Sequence, residues 1–396
     1  MVIREHSCHS WLIAVFKMND PVYLDYNATT PVATEVADAI EPYLREHFGN
    51  PSSSHIYGRR AKEAVEQARG EVAALIGARP EEIVFTGCAT EANNLAIQGA
   101  ARALAGTKKH LITSAIEHPS VMQPFLKLRE EGWEVTILPV DRYGRVNPIA
   151  VARAIRPDTA LVSVMHANNE VGAVQPIAEI AQLTRTKGIL LHTDAAQSAG
   201  KIPVLAYKLG VDLLTLAGHK FYAPKGVGAL YVRMDTPLIP LQVGANHEHG
   251  LRPGTENVPF VVGLGAAAKL SRKRLPKAQA YLKTLRDQLH AQLQEGIPNL
   301  VLNGHAEERL PNTLNVSFPG VSGHELLEMA AQDVAASTGS ACHSGDPAVS
   351  GVLGAMKTSA ARASGAVRLS VGIYTTSADI DRAARALIAA WKQLRA

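Results

Sequence analysis

From about residue 80 to residue 232 the sequence repeats one pattern: a short apolar run, a polar turn, then a helical stretch. EIVFTG leads into TEANNLAIQGAARAL, and HLITSA leads into PSVMQPFLKLREEG. EVTILPV, ALVSVMHA and ILLHTDA continue the series, with helical segments between most of them, and LLTLAG and VGALYV close it. The strand runs alternate little between apolar and polar residues, as strands covered on both faces do. This rhythm predicts an α/β domain built on a mostly parallel sheet. The last two runs are spaced like a hairpin, so the sheet is expected to be mixed.

Beyond this region the pattern changes. Residues 258–293 read as helix interrupted at Pro276, a connection to a second module. That module has shorter strands, TLNVSFPG and VRLSVG, and helices HELLEMAAQ and SADIDRAARALIAAWKQL, with Ser377 as the expected cap of the last. It reads as α+β. A chain of 396 residues is too long for one small core, which fits two domains of unequal size.

Composition excludes several classes. With 46% hydrophobic and 19% charged residues the chain reads as soluble and globular. Its net charge of +4 comes from scattered basic residues, so no nucleic-acid partner is expected. Three cysteines, Cys8, Cys88 and Cys342, make no disulfide framework and point to a reducing, cytoplasmic setting. The apolar run WLIAVF is too short to span a membrane. Residues 1–17, ahead of Met18, read as a dispensable extension.

In open α/β sheets ligands bind beyond the carboxyl ends of the strands. Polar residues gather there. TGCATE opens a helix at Thr90, where backbone N–H groups could hold a phosphate. His118 follows the next strand, then Asn168, Asn169 and Glu170, then Asp194 and Gln197, then His219 and Lys220. Each has a plain alternative: His118 as a helix start, the asparagines as a turn, Asp194 as a cap. Together they describe a phosphate cradle, a flat platform, a carboxylate and an amine. Pyridoxal 5′-phosphate needs this set: a lysine for its aldehyde, a carboxylate for its pyridine nitrogen, N–H groups for its phosphate.

The ordered motifs LDYNATTPV, FGNPSSSH, TEANN, EHPSV, ANNEVGAVQPI, HTDAAQSAGK, GHKFYAPKGVGALYV, RPGTEN and GSACHSG resemble the cysteine desulfurases and the related selenocysteine lyases. Both belong to the class V aminotransferase group of fold-type-I pyridoxal-phosphate enzymes. The resemblance runs from about Val22 to the C-terminus. It implies a large domain over residues 30–262 with a mostly parallel seven-stranded sheet. A smaller α+β domain would comprise 18–29 and 263–396 and carry the catalytic cysteine loop.

The resemblance also implies roles. Lys220 is the Schiff-base lysine, and Lys225 a structural or surface charge. Asp194 pairs with the pyridinium nitrogen, and Gln197 bonds the ring hydroxyl with Asn169 nearby. His118 stacks on the ring and shuttles protons. Ala89, Thr90 and His219 hold the phosphate. Thr255 reaches the phosphate of a partner subunit, which implies a homodimer. Arg368 clamps the substrate carboxylate, a task suited to a guanidinium. Cys342 is the nucleophile, in a stretch rich in Gly, Ser and Ala, and His343 is the neighbour that would stabilise its thiolate or take its proton.

The implied reaction converts L-cysteine to L-alanine, leaving a persulfide on Cys342 for a sulfur acceptor such as a cluster scaffold. The alternatives are release of selenium from L-selenocysteine, another reaction of the same cofactor, or a non-catalytic scaffold. The phosphate loop departs from the common pattern, reading Gly87-Cys88-Ala89-Thr90, and Ala217 stands where a serine is common before GHK. Both departures remove hydroxyl donors and predict weaker cofactor retention. Cys88 is expected to be structural, with a place near the cofactor as the alternative. The His-x-His of NHEH is not expected to bind metal.

Overall fold

The computed structural model describes residues 20–339 and 350–396. The expectations for residues 1–17, Cys342 and His343 lie outside the described residues.

The chain begins with a two-residue strand β1 (Val22–Tyr23). Helices α1 (Thr34–Arg45) and α2 (Ile56–Ile76) follow, which the strand rhythm did not announce. His55 caps α2 by accepting from Gly58 N–H, and Gly77 ends it in the left-handed region at φ 63°. The α/β series then runs β2 (Ile83–Thr86), α3 (Ala89–Leu104), β3 (His110–Ser114), α4 (Pro119–Glu130), β4 (Glu134–Leu138) and α5 (Pro148–Ala154). It continues with β5 (Thr159–Ser163), α6 (Ile177–Arg185), β6 (Leu190–Asp194), α7 (Ala206–Leu209), β7 (Leu213–Ala217) and β8 (Gly228–Val232).

These strands form a seven-stranded sheet in the order β2-β8-β7-β6-β5-β3-β4. β8 is antiparallel to both of its neighbours, and the other pairings are parallel. The carboxyl ends of all strands except β8 therefore share one edge. Strands β3, β5 and β7 are buried at every position, which explains their unbroken apolar runs.

Helix α8 (Val258–Gly296) is one helix of 39 residues. The expected interruption at Pro276 does not occur. Pro276 and Arg272 both face solvent, so the carbonyl that loses its N–H partner has access to water. At 1.5 Å per residue the helix is about 58 Å long. Its first half packs Val258, Val261, Leu264 and Ala268 into the core of the large sheet. Gly265 allows α2 to approach, since a Cβ there would lie 2.6 Å from the Cα of Ala68. Its second half puts Leu282, Leu285, Leu289 and Leu293 into a separate core.

That second core lies against β9 (Val301–Asn303), β10 (Thr313–Ser317), α9 (Gly323–Met329), β11 (Val334–Ala335), β12 (Ala366–Ser370) and α12 (Ser377–Arg395), while α10 (Gly351–Ala355) and α11 (Ala360–Ser364) pack Val352, Leu353 and Ala363 into a further cluster with Ile116, Met165 and Val171. β12, β10 and β9 make an antiparallel sheet, while β1 pairs with β11. The cap of α12 is Thr376, in a reciprocal capping box with Asp379, not Ser377. Ser377 is the first helical residue and exchanges hydrogen bonds with Gln288. Among the described residues no helix is long and apolar enough to cross a membrane.

Candidate active site

A cavity of about 630 Å³ opens at the carboxyl edge of the large sheet. Its floor is set by the sheet, and one wall comes from β12 and the start of α10. The strand-end residues Ala89, Thr90, His118, Asn169, Asp194, Gln197, His219 and Lys220 all line it, as does Arg368.

At the β2 end, α3 begins without a side-chain cap at Cys88 and aims its first turn at the cavity. N–H groups of a first turn have no partner inside their helix, so they are available to an anion. Gly228 of β8 makes this possible: a Cβ there would lie 2.8 Å from the carbonyl carbon of Cys88 and 3.0 Å from Ala89 N. Glu91 ties the loop down by accepting from Gly87 N–H at 2.6 Å and from Arg252 Nε at 2.8 Å. Cys88 is a free, exposed thiol on the cavity wall, so the structural reading of it does not hold. As the residue just before an uncapped helix end that faces the cavity, it cannot pack inward.

Lys220 follows β7 in a single 3-10 turn, and its Nζ donates to the carbonyls of Asn27 and Ala28, both at 2.7 Å. Lys225 is exposed and outside the cavity. His219 Nδ1 lies 3.1 Å from Thr29 Oγ1, and burial beside Lys220 and Lys225 pushes its imidazole down to about 4. Asp194 ends β6, where Oδ1 accepts from Ala196 N–H and Oδ2 from Asn93 Nδ2. It caps no helix; its polar partners fix its carboxylate at the cavity floor.

Gln197 donates from Nε2 to the Asn27 carbonyl at 2.9 Å and accepts from Lys201 Nζ at 2.8 Å. Lys201 is buried, and desolvation holds its amine well below the usual lysine range. His118 is both the N-cap of α4 and a cavity residue, so the two readings of it coexist. Asn168 makes the turn: its Oδ1 accepts from Glu170 and Val171 N–H, which leaves Asn169 to face the cavity.

Arg368 arrives from the other sheet. It is 5% exposed, donates to Asp25 Oδ1 at 2.7 Å and to the Asn169 carbonyl at 3.2 Å, and its Nε has no partner among the described residues. Thr255 is exposed and does not line this chain's cavity. The residues that the sequence reading passed over are Asp25, Asn27, Asn93, Glu117, Ser120 and Lys201. All six lie inside the quoted motifs, but their local pattern gives no sign of what they touch. Glu117 is buried at the cavity edge, accepts from Ser114 Oγ and Met165 N–H, and burial raises its carboxyl to about 8.

The arrangement fits pyridoxal 5′-phosphate. An uncapped helix end suits its phosphate, an amine on two carbonyls its aldehyde, a buried carboxylate its ring nitrogen, and the imidazole of His118 its flat face. The volume is that of an ordinary cofactor pocket.

Comparison with known proteins agrees. The aminotransferase class-V family matches residues 22–383. A cysteine desulfurase IscS of Dictyoglomus turgidum is 46% identical over 365 residues, covering 92% of this chain and 93% of that protein. A mouse cysteine desulfurase is 44% identical over 391 residues, covering 98% of this chain and 84% of that protein. Among solved structures, a NifS-like protein superposes with a TM-score of 0.88 at 36% identity, covering 95% of this chain and 99% of that one. A structure described as SspA in complex with cysteine gives 0.79 at 38% identity, covering 89% and 99%.

Proposed function

The chain belongs to the aminotransferase class-V family, and from that premise we propose how it works as a pyridoxal-phosphate-dependent cysteine desulfurase. The observation that carries the proposal is the convergence of Lys220, Asp194 and His118 with Arg368 on one cavity. When bound, pyridoxal phosphate supplies an aldehyde that condenses with amines and a ring that takes up negative charge from the substrate.

Lys220 would hold the aldehyde of the cofactor, and its amine would serve as the base for the substrate Cα proton. Asp194, held by Asn93 and Ala196, would keep the ring nitrogen protonated. Gln197 and Asn169 would hold the ring hydroxyl. Ala89, Thr90 and His219 would hold the phosphate. Arg368 receives the substrate carboxylate, and its unpaired Nε is a donor in waiting. The substrate is L-cysteine.

Cys342 is the sulfur acceptor. Its thiolate attacks the substrate sulfur; the S–S bond forms as the C–S bond breaks. The carbon keeps the bonding electron pair and takes a proton, Cα regains the proton held by Lys220, the product leaves as L-alanine, and the sulfur stays on Cys342 as a persulfide. A sulfur-acceptor protein such as a cluster scaffold then takes it. Thr255, exposed and not among the residues lining its own cavity, serves the site of a second copy in a homodimer. Two separate apolar cores support a division into a cofactor-binding body and a smaller body that includes the stretch around Val22 and Leu24, but the change of core falls inside α8, between Ala268 and Leu282, rather than at residue 262.

The test is reconstitution with pyridoxal phosphate, followed by L-cysteine. The expected result is a yellow protein that releases alanine and carries a persulfide that is absent from Cys342→Ser. Turnover of L-selenocysteine without a persulfide from L-cysteine would replace the desulfurase reading with that of a lyase.

A further inference from the structure

His118 stands at the end of a chain of hydrogen bonds whose directions can all be assigned. The backbone N–H of Ser120 points at its Nδ1 at 3.1 Å, and a backbone N–H can only donate. Nδ1 is therefore an acceptor and carries no proton. Ser120 Oγ is also 2.8 Å from Nδ1. Asn93 Nδ2 lies 2.8 Å from the same Oγ and, as an amide nitrogen, must donate to it. The hydroxyl hydrogen of Ser120 is then directed to Nδ1. The second N–H of Asn93 goes to Asp194 Oδ2 at 2.8 Å, which fixes the orientation of the amide. Asn93 is fully buried, and Ser120 is nearly so at the edge of the cavity.

We propose that Asn93 and Ser120 are positioning residues that lock His118 as the Nε2–H tautomer and present that proton to the cavity. The other nitrogen decides the tautomer of a neutral imidazole, and here two donors occupy it. The ring lines the cavity, and no described residue hydrogen-bonds Nε2. Resting on the desulfurase reading, this gives His118 a direction within the reaction. It enters the cycle as a donor at Nε2 and cannot accept there until it has given up a proton.

The charged groups that face it are Asp194 at the end of β6 and Lys220 after β7. Burial lowers the imidazole pKa, the Asp194 carboxylate opposes this, and Lys220 adds to it. Two donors on Nδ1 act in the same direction as burial, because protonating Nδ1 would set donor against donor. Removing the Ser120 hydroxyl should therefore raise the midpoint.

The experiment is 15N NMR of histidine-labelled protein, titrated with pH with and without pyridoxal phosphate, using His118→Gln to assign the signal. The wild type is expected to show a bare Nδ1 and a protonated Nε2 at neutral pH. Ser120→Ala is expected to raise the midpoint by about half a unit to one unit, the value of one buried hydrogen bond. Ser120→Thr, which keeps the hydroxyl, should restore it. A wild-type His118 protonated at Nδ1 overturns the inference without recourse to any variant. So does a midpoint that Ser120→Ala leaves unchanged. The desulfurase reading fails separately, if the protein stays colourless with pyridoxal phosphate, and the tautomer can still be read in that case.

Discussion

The large sheet and its loops bury His110, His166, His192, Glu117, Asp194 and Lys201, while the three-stranded sheet buries Asn303, Thr313, Asn315 and Ser317 around a core of leucine, valine and isoleucine. Both bodies are densely apolar, yet titratable groups concentrate in one of them. Each such group costs free energy to bury unless it is hydrogen-bonded or neutral. The large body meets that cost with partners: Thr159 and Thr136 on His110, Ser163 and Thr215 on His192, Ser198 on His166. The smaller body sends an ion pair to the shared cavity, Arg368 from the middle of β12 and Asp25 from just after β1. The chemistry is thus prepared in one body, and the other contributes a single ion pair.

The contrast can be broken by separating function from stability. Asp194→Asn should leave the fold intact and lower kcat by about 10³-fold, the scale on which a preorganised electrostatic partner acts. Steady-state kinetics together with the visible spectrum of the bound cofactor check this. An unchanged kcat would mean that the large body's carboxylate has no part in the reaction.

The reverse case is Leu387→Ala, in the core of the smaller body. Leu387 is fully buried on α12, so truncation should cost about 2–5 kcal/mol of stability. Cofactor affinity should remain close to wild type. Urea unfolding and equilibrium titration with pyridoxal phosphate report the two quantities separately. A parallel loss of affinity would show that the two bodies do not act independently.

The smallest effect is on pH. Burial lowers His166 and His192 to about 4, against an ordinary 6.5. Between pH 6.5 and 4 the unfolded chain binds protons that the folded chain refuses, so these groups make stability fall as pH falls. Glu117 is raised to about 8, so the folded chain keeps a proton that the unfolded chain loses above pH 4.5. It makes stability fall as pH rises from 4.5 to 8. These two histidines against one glutamate leave a net acid loss on the order of 2–3 kcal/mol by pH 4.5, and Glu117 alone a loss of about 2 kcal/mol between pH 6.5 and 8. Urea midpoints across pH 4.5–8 measure both arms, and Glu117→Gln should flatten the alkaline one.

Much of this was legible in the chain. The strand runs from EIVFTG to VGALYV fall on β2 to β8; burial on both faces leaves an unbroken apolar signature in these strands except the edge strand β4, which is largely exposed. The polar residues at strand ends converge because parallel strands put their carboxyl ends on one edge. The helices α1 and α2 escaped that rhythm, since they precede the alternation and pack on α8 instead. Pro276 misled because a proline on the solvent side of a long helix gives up one bond to water without breaking the helix.

Local sequence fixes periodicity, caps and turn chemistry, since these depend on residues a few positions apart. It therefore specifies the β/α order, the phosphate-loop turn and the identity of Lys220 and Asp194. It does not specify that Asn27 would offer its carbonyl to Lys220, 193 positions away, or that Asp25 would pair with Arg368, 343 positions away. Those contacts exist only once the start of the chain has been laid between the two sheets. The direction of the His118 hydrogen bonds belongs to the same class, because Asn93 and Ser120 meet only where α3 packs against α4.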